Sequence, residues 1–223
     1  MAKLTWDAAG QRLYETGVRN VVLYVKNGST YGKGVAWNGV TSIEENPTGA
    51  EATPLYANDI KYLNLVSNEE YEASITAYTY PDEFAECDGS ASLVKGVRIG
   101  QQSRKEFGFC YRTAIGNDTE GTEHGYKLHL VYGALASPSS KSHSTINNDP
   151  EAAEMSWDIT TTPVEVAGHK PTSVVEIDST KVKETELKAL EKELYGDDTE
   201  PGKEPRLPSP SEVAAMFTED SGS

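Results

Sequence analysis

The sequence predicts a mainly β protein of antiparallel strands, with one short flanking helix and a helical C-terminal extension. Apolar and polar residues alternate with a period of two through most of the first 180 positions, the pattern of strands with one buried face and one wet face. Thr, Ser, Asn, Gly and Tyr, the residues of strands and turns, fill much of the remainder. From about Lys181 the pattern changes to leucines at helical spacing followed by prolines.

Taken in order, 21–26 and 33–37 are candidate strands. Asn38-Gly39, between Val35-Ala36-Trp37 and Val40-Thr41-Ser42-Ile43, has the composition of a two-residue hairpin turn, because both residues tolerate positive φ. A polar, Pro-bearing loop is expected over 44–58, followed by a strand at 60–66. In 71–80, Tyr71, Ala73, Ile75 and Ala77 oppose Glu72, Ser74, Thr76 and Tyr78. Pro81 through Gly89 reads as a short helix, with Pro and acids at its start and Gly after its end. In 107–115, Phe107, Phe109, Tyr111 and Ile115 lie opposite Gly108, Cys110 and Arg112. In 126–132, Tyr126, Leu128, Leu130 and Tyr132 lie opposite Lys127, His129 and Val131, which puts His129 on the solvent side. A second long loop is expected over 136–156, then strands at 157–162 and 173–178.

The expected domain division is 1–180 for the β domain and 181–223 for the extension. Leu187, Leu190 and Leu194, with Glu184 four residues before Lys188, predict an amphipathic helix over 181–195. Gly196 to Gly202 with Pro205, Pro208 and Pro210 reads as a linker, and 211–217 as a last short helix. Cys87 and Cys110 are too few for a disulfide framework and are expected as buried thiols. The N-terminus lacks the apolar core of a signal peptide, so the expectation is assembly in the cytoplasm without membrane insertion.

Little in the sequence points to catalysis, and the expectation is a non-enzyme with no catalytic residues, cofactor or metal. His124, His129, His143 and His169 are scattered without zinc-site spacing. Gly116 to Gly121 resembles a fragment of a calcium loop, but its ligand register fails and a turn explains it better. The adjacent acids Glu69-Glu70 and Asp82-Glu83 are not a natural hydrolytic couple, since neighbours on a strand point to opposite faces. The formal charge of −15 argues against gripping nucleic acid through its phosphates. Charge is nonetheless arranged: Lys95, Arg98, Arg104, Lys105 and Arg112 crowd 95–112, while 44–51, 69–72, 82–88, 118–123 and 149–154 are acid-rich. Either this is an ordinary solvated surface, or the basic run of one copy meets acidic loops of the next. On the second reading the candidate inter-subunit contacts are Arg98, Arg104, Lys105, Arg112, Glu44, Glu45 and Glu51.

Several peptides in order carry a family resemblance: Gly34-Val-Ala-Trp-Asn-Gly39, Leu55-Tyr-Ala-Asn-Asp59, Ala77-Tyr-Thr-Tyr-Pro-Asp-Glu-Phe84, Cys87-Asp-Gly89, Gly100-Gln-Gln102, Tyr111-Arg-Thr113 and Gly125-Tyr-Lys-Leu-His-Leu-Val-Tyr-Gly-Ala134. Together with Ala136-Ser-Pro138 and Trp157-Asp-Ile-Thr-Thr-Thr-Pro-Val164, they resemble the major tail proteins of siphophages infecting Gram-positive bacteria, over 18–180. The resemblance implies two packed antiparallel sheets forming a tail-tube-type β-sandwich closing toward a barrel, with loops that reach neighbouring copies. It implies a structural subunit of the virion tail, polymerising as stacked hexameric rings that conduct the genome. Implied partners are further copies, the initiator or distal tail, tape-measure and terminator proteins, and DNA that passes through the lumen without specific binding. Alternating strands alone suit an immunoglobulin-like sandwich equally well. The alternatives are a tube subunit of a phage-derived secretion or bacteriocin particle, and a carbohydrate-binding β-sandwich stacking sugars on Trp6, Trp37 or Trp157.

Overall fold

A computed structural model describes residues 3–146, 152–199 and 202–217. The strands are β1 (Tyr14–Asn27), β2 (Thr30–Tyr31), β3 (Val35–Ala36), β4 (Val40–Glu45), β5 (Thr48–Gly49), β6 (Ala52–Ala57), β7 (Ile60–Val66), β8 (Glu69–Glu70) and β9 (Glu72–Ala77). They continue with β10 (Ala91–Val94), β11 (Val97–Ile99), β12 (Phe107–Asn117), β13 (Gly121–Ala136), β14 (Met155–Thr161) and β15 (Val174–Asp178). A 3-10 turn at Asp82–Glu86 is the predicted short helix, and α1 (Glu184–Tyr195) and α2 (Pro210–Met216) form the extension.

Nine strands make one antiparallel sheet in the order β2-β1-β12-β13-β14-β9-β4, with β3 also on β1 and β15 also on β13. The sheet folds over on itself. Its ends meet at Asn38-Gly39, which is a turn but not a hairpin: β3 pairs with β1, whereas β4 pairs with β9. Gly39 adopts φ 79° and its carbonyl accepts the Tyr78 N–H. Trp37, buried just before this corner, pulls the chain across the core and keeps β3 and β4 from lying side by side.

The second bend lies in β13, which pairs with β15 over 127–131 and with β14 over 134–136. Gly133 sits between the two stretches at φ 60°, and a Cβ there would stand 2.1 Å from the Thr162 carbonyl oxygen. The break also reverses the alternation, so that Val131 and then Ala134 and Ala136 all enter the same core.

That core fills the fold of the sheet with Leu23, Trp37, Ile75, Phe84, Phe107, Phe109, Trp157 and Ile159. A second core lies on the opposite face, where Tyr24, Cys110, Leu128, Leu130 and Tyr132 meet Leu187, Leu190 and Leu194 of α1, Leu207, and Val213 of α2. Strands β12 and β13 are therefore buried on both faces along much of their length, and His129, expected at the solvent side, is 5% exposed. Both thiols are buried, as expected, and burial pushes Cys87 and Cys110 up to about 12.

The predicted C-terminal helices are present. Glu184 and Lys188 pair along α1, and Ser209 caps α2 through a capping box with Glu212. Tyr24 Oη donates to the Leu194 carbonyl at the end of α1, and the segment between the helices is packed on the sheet: the Gly34 N–H donates to the Pro205 carbonyl and Tyr132 Oη to the Pro208 carbonyl. Glu193, nearly buried, accepts from Lys203 and Arg206. Burial raises its carboxyl, but those two cations hold it below the ordinary value.

The expected loop 44–58 is largely β structure. Strands β6 and β7 form a hairpin carried on the short pair β5–β8, with Asn58 and Asp59 both at positive φ at its tip. This is the geometry of a type I′ turn. Pro54 argues against a strand in sequence, yet a two-stranded arm with open edges tolerates it. The loop 136–156 is irregular over 137–146 and 152–154, and its positions 147–151 lie outside the described residues.

Candidate assembly surface

The first feature of this surface is a pair of open strand edges. Among the described residues, the first half of β1, 14–20, pairs on one side of β12 with β12 alone, because β3 and β2 engage β1 only from Val22 onward. Among the same residues, β15 on the other side of β13 pairs with β13 alone. The β1 edge presents unpaired backbone N–H and C=O groups, which template pairing with another chain. At β15 the Thr172 hydroxyl already bonds the Val174 N–H and C=O, and the Lys181 N–H donates to the Asp178 carbonyl, so the open stretch centres on Glu176.

The second feature is exposed apolar surface on the projecting segments. Every residue of β6 and β7 is exposed, including Tyr56 at 69%, Tyr62 at 70% and Leu65 at 56%. The hairpin β10–β11, unpredicted from sequence and turned at Gly96 with φ 83°, exposes Leu93 and Val94. Leu4, Trp6 and Leu13 ahead of β1 are exposed as well. Scattered apolar side chains are normal on a surface, but rows of them along two free hairpins mark contact surfaces.

The third feature is a polar row on one face of the sheet β1–β12–β13–β15, the face opposite α1. Lys127 Nζ lies 2.9 Å from Glu15 on β1 and 3.1 Å from Glu176 on β15, so one cation ties both edges to the central strand. Beside it, the His129 ring stacks on Tyr111 at 4.5 Å. Glu45, a candidate contact residue, accepts hydrogen bonds here from Tyr71 and Tyr111.

The candidate cations are brought together with acids of their own chain. Arg98 pairs with Asp82 at 2.7 Å, Lys105 with Glu86 at 2.5 Å, and Arg104 with Asp88 at 3.5 Å. Arg104 also donates to the carbonyls of Cys87 and Ala136. Arg112 lies over the Tyr126 ring at 3.4 Å and pairs with Glu191 of α1. Arg98, Arg104 and Lys105 thus face the acid run 82–88 within one subunit and Arg112 faces α1, while Glu44 and Glu51 stay on the surface beside the arm. Sequence reasoning gave β7 as the strand 60–66 but missed its partner β6 and the β10–β11 hairpin; Asn58-Asp59 and Gly96 were the available signals.

No protein-family model matches the chain, and no curated protein matches it in sequence. Among solved structures it is similar to a chain of an extracellular contractile injection system, the PVC sheath–tube complex in its extended state, seen by cryo-EM. That likeness has a TM-score of 0.31 at 13% identity and covers 71% of this chain and 88% of the other. Among the described residues no group of three or more His, Cys, Asp or Glu is placed to hold a metal ion, and no helix is long and apolar enough to cross a membrane. The Gly116–Gly121 segment is the β12–β13 turn, in which the Asn117 side-chain oxygen accepts the N–H groups of Thr119 and Glu120.

Proposed function

We propose that the chain is a non-enzymatic structural subunit that polymerises head to tail into rings, which stack into a tube of the phage-tail type. The observation that carries the reading is the pair of open edges on opposite sides of one sheet, at 14–20 of β1 and at β15. Pairing the β1 edge of one copy with the β15 edge of the next is a heterologous contact, which generates a ring where the rotation closes. The sequence resemblance supplies the sixfold number, the virion location and the partners: initiator, tape-measure and terminator proteins. The exposed arm β6–β7 is then the element that reaches the neighbouring ring.

Negative-stain electron microscopy tests this. Purified protein is expected to form rings and stacked tubes when concentrated or nucleated, and light scattering that stayed monomeric at every concentration, with and without tail-initiator proteins, would sink the idea. Replacing Tyr62 and Leu65 by lysine should leave a folded subunit that no longer stacks, because both side chains are exposed and support no core.

The same reading orients the wall. Since α1 and α2 cover one face and the first core fills much of the other, the stretch of sheet left for the channel is the row of Glu15, Thr113, Lys127 and Glu176. Two carboxylates against one ammonium, repeated around a ring, repel a duplex over roughly 8–10 Å at physiological salt. Assembled tubes are accordingly expected to bind duplex DNA weakly. Tight, salt-sensitive retention on tubes in a gel-shift or filter assay would contradict this orientation.

A further inference from the structure

His129 is buried in the middle of the polar row, and its hydrogen bonding fixes its state. Thr113 Oγ1 has one proton, which it donates to Glu15 Oε1 at 2.5 Å. The same oxygen lies 3.0 Å from His129 Nε2, so it accepts there and Nε2 carries the hydrogen. Nδ1 is therefore a bare lone pair. It faces Glu45 Oε1 at 3.7 Å and Glu176 Oε2 at 3.8 Å, two carboxylates from two other strands, β4 and β15. A lone pair between two anions is electrostatically the wrong partner, and one proton reverses the sign of both contacts.

We propose that His129 is a proton-sensitive tie: near neutral pH it holds its proton on Nε2, and on acidification Nδ1 takes a second proton and draws Glu45 and the β15 edge residue Glu176 toward it. Charge-assisted hydrogen bonds settle near 2.7–2.9 Å and Nδ1 has one hydrogen to give, so one carboxylate closes by roughly 1 Å while the other is drawn by charge alone. Glu45 would loosen from Tyr71 and Tyr111, and β15 would shift against β13.

The groups facing the imidazole are Glu45 from β4, Glu176 from β15, Glu15 from β1, Tyr111 and Thr113 from β12, and Lys127 of its own strand. Burial outweighs the three carboxylates, and with Lys127 holds the ring below the ordinary histidine value of 6.5. The sign follows. The unfolded chain takes the proton first, so this group's contribution to stability is complete above about pH 6.5 and is lost as pH falls through the folded-state value. The consequence for assembly rests on the ring reading, because β15 is a proposed ring edge; the titration itself is a property of the single subunit.

The test is side-chain and backbone NMR on the dilute full-length chain, from about pH 8 to about pH 5, the range where histidine titrates. The expected result is an Nε2–H tautomer, a midpoint below the ordinary histidine value of 6.5, and amides of 174–178 that move with it. His129→Gln, which keeps an N–H for Thr113, should abolish the amide response. Glu176→Gln should lower the His129 midpoint, and it carries the test if the glutamine variant does not fold. An Nδ1–H tautomer, a midpoint at or above 6.5, or β15 amides that respond equally in His129→Gln would overturn the proposal. These readouts stand whether or not the protein forms tubes, and a pH dependence of tubes that is lost in His129→Gln would link the two.

Discussion

Replacing Trp157 by alanine is expected to destabilise the subunit by about 3–5 kcal/mol, the range for emptying a large aromatic site in a packed core. Trp157 on β14 is fully buried and packs edge-on against Trp37 at 5.7 Å, Phe84 at 5.1 Å and Tyr80 at 5.6 Å. Its indole N–H donates to Asp88, which also receives Lys141 and Arg104. The substitution removes the wedge between the two halves of the folded-over sheet and takes one donor from a nearly buried carboxylate. Urea unfolding followed by circular dichroism gives the loss as a lower midpoint. A loss under about 1 kcal/mol, the scale of an ordinary surface change, would mean that the sheet does not close around this residue.

Arg112→Glu is expected to cost about 3 kcal/mol of subunit stability, because breaking a partly buried pair leaves an uncompensated charge. The new carboxylate would replace a guanidinium stacked on Tyr126 and would face Glu191, which Tyr126 Oη already contacts at 2.8 Å. Arg112 and Arg104 are candidate inter-subunit contacts by sequence, but each has an acidic partner within its own chain, so reversing either strains the fold itself. Arg112→Lys keeps the charge but loses the planar contact, and should cost about 1 kcal/mol. Equal, negligible losses for both variants in the same urea titration would show that α1 is not held by this contact.

Much of the fold was legible because burial imposes a period. Ala73, Ile75 and Ala77 are buried in alternation along β9, and Leu187, Leu190 and Leu194 all face the second core. Of the arm, β7 matches the predicted strand 60–66, whereas β6 was illegible for the complementary reason: a strand exposed at every residue has no buried face to leave a period, and Pro54 disguised it. The candidate surface suffered similarly, for the charge runs were visible but their partners were not. Arg98 and Asp82, or Arg112 and Glu191, are far apart in sequence and meet only through the packing of other residues.

The sequence by itself determined the strand character of β9, β12 and β13, the helical character of α1, the turn at Gly39 and the burial of the two cysteines, since each depends on local pattern or side-chain chemistry. Tertiary structure alone decided the rest. It put β3 and β4 on different partners, buried His129 among carboxylates from β1, β4 and β15, and left 14–20 and β15 as open edges. The reason is that strand pairing is a choice among edges far apart in the chain. Alternation states which face of a strand is wet, but not which neighbour it will find or which edge will be left without one.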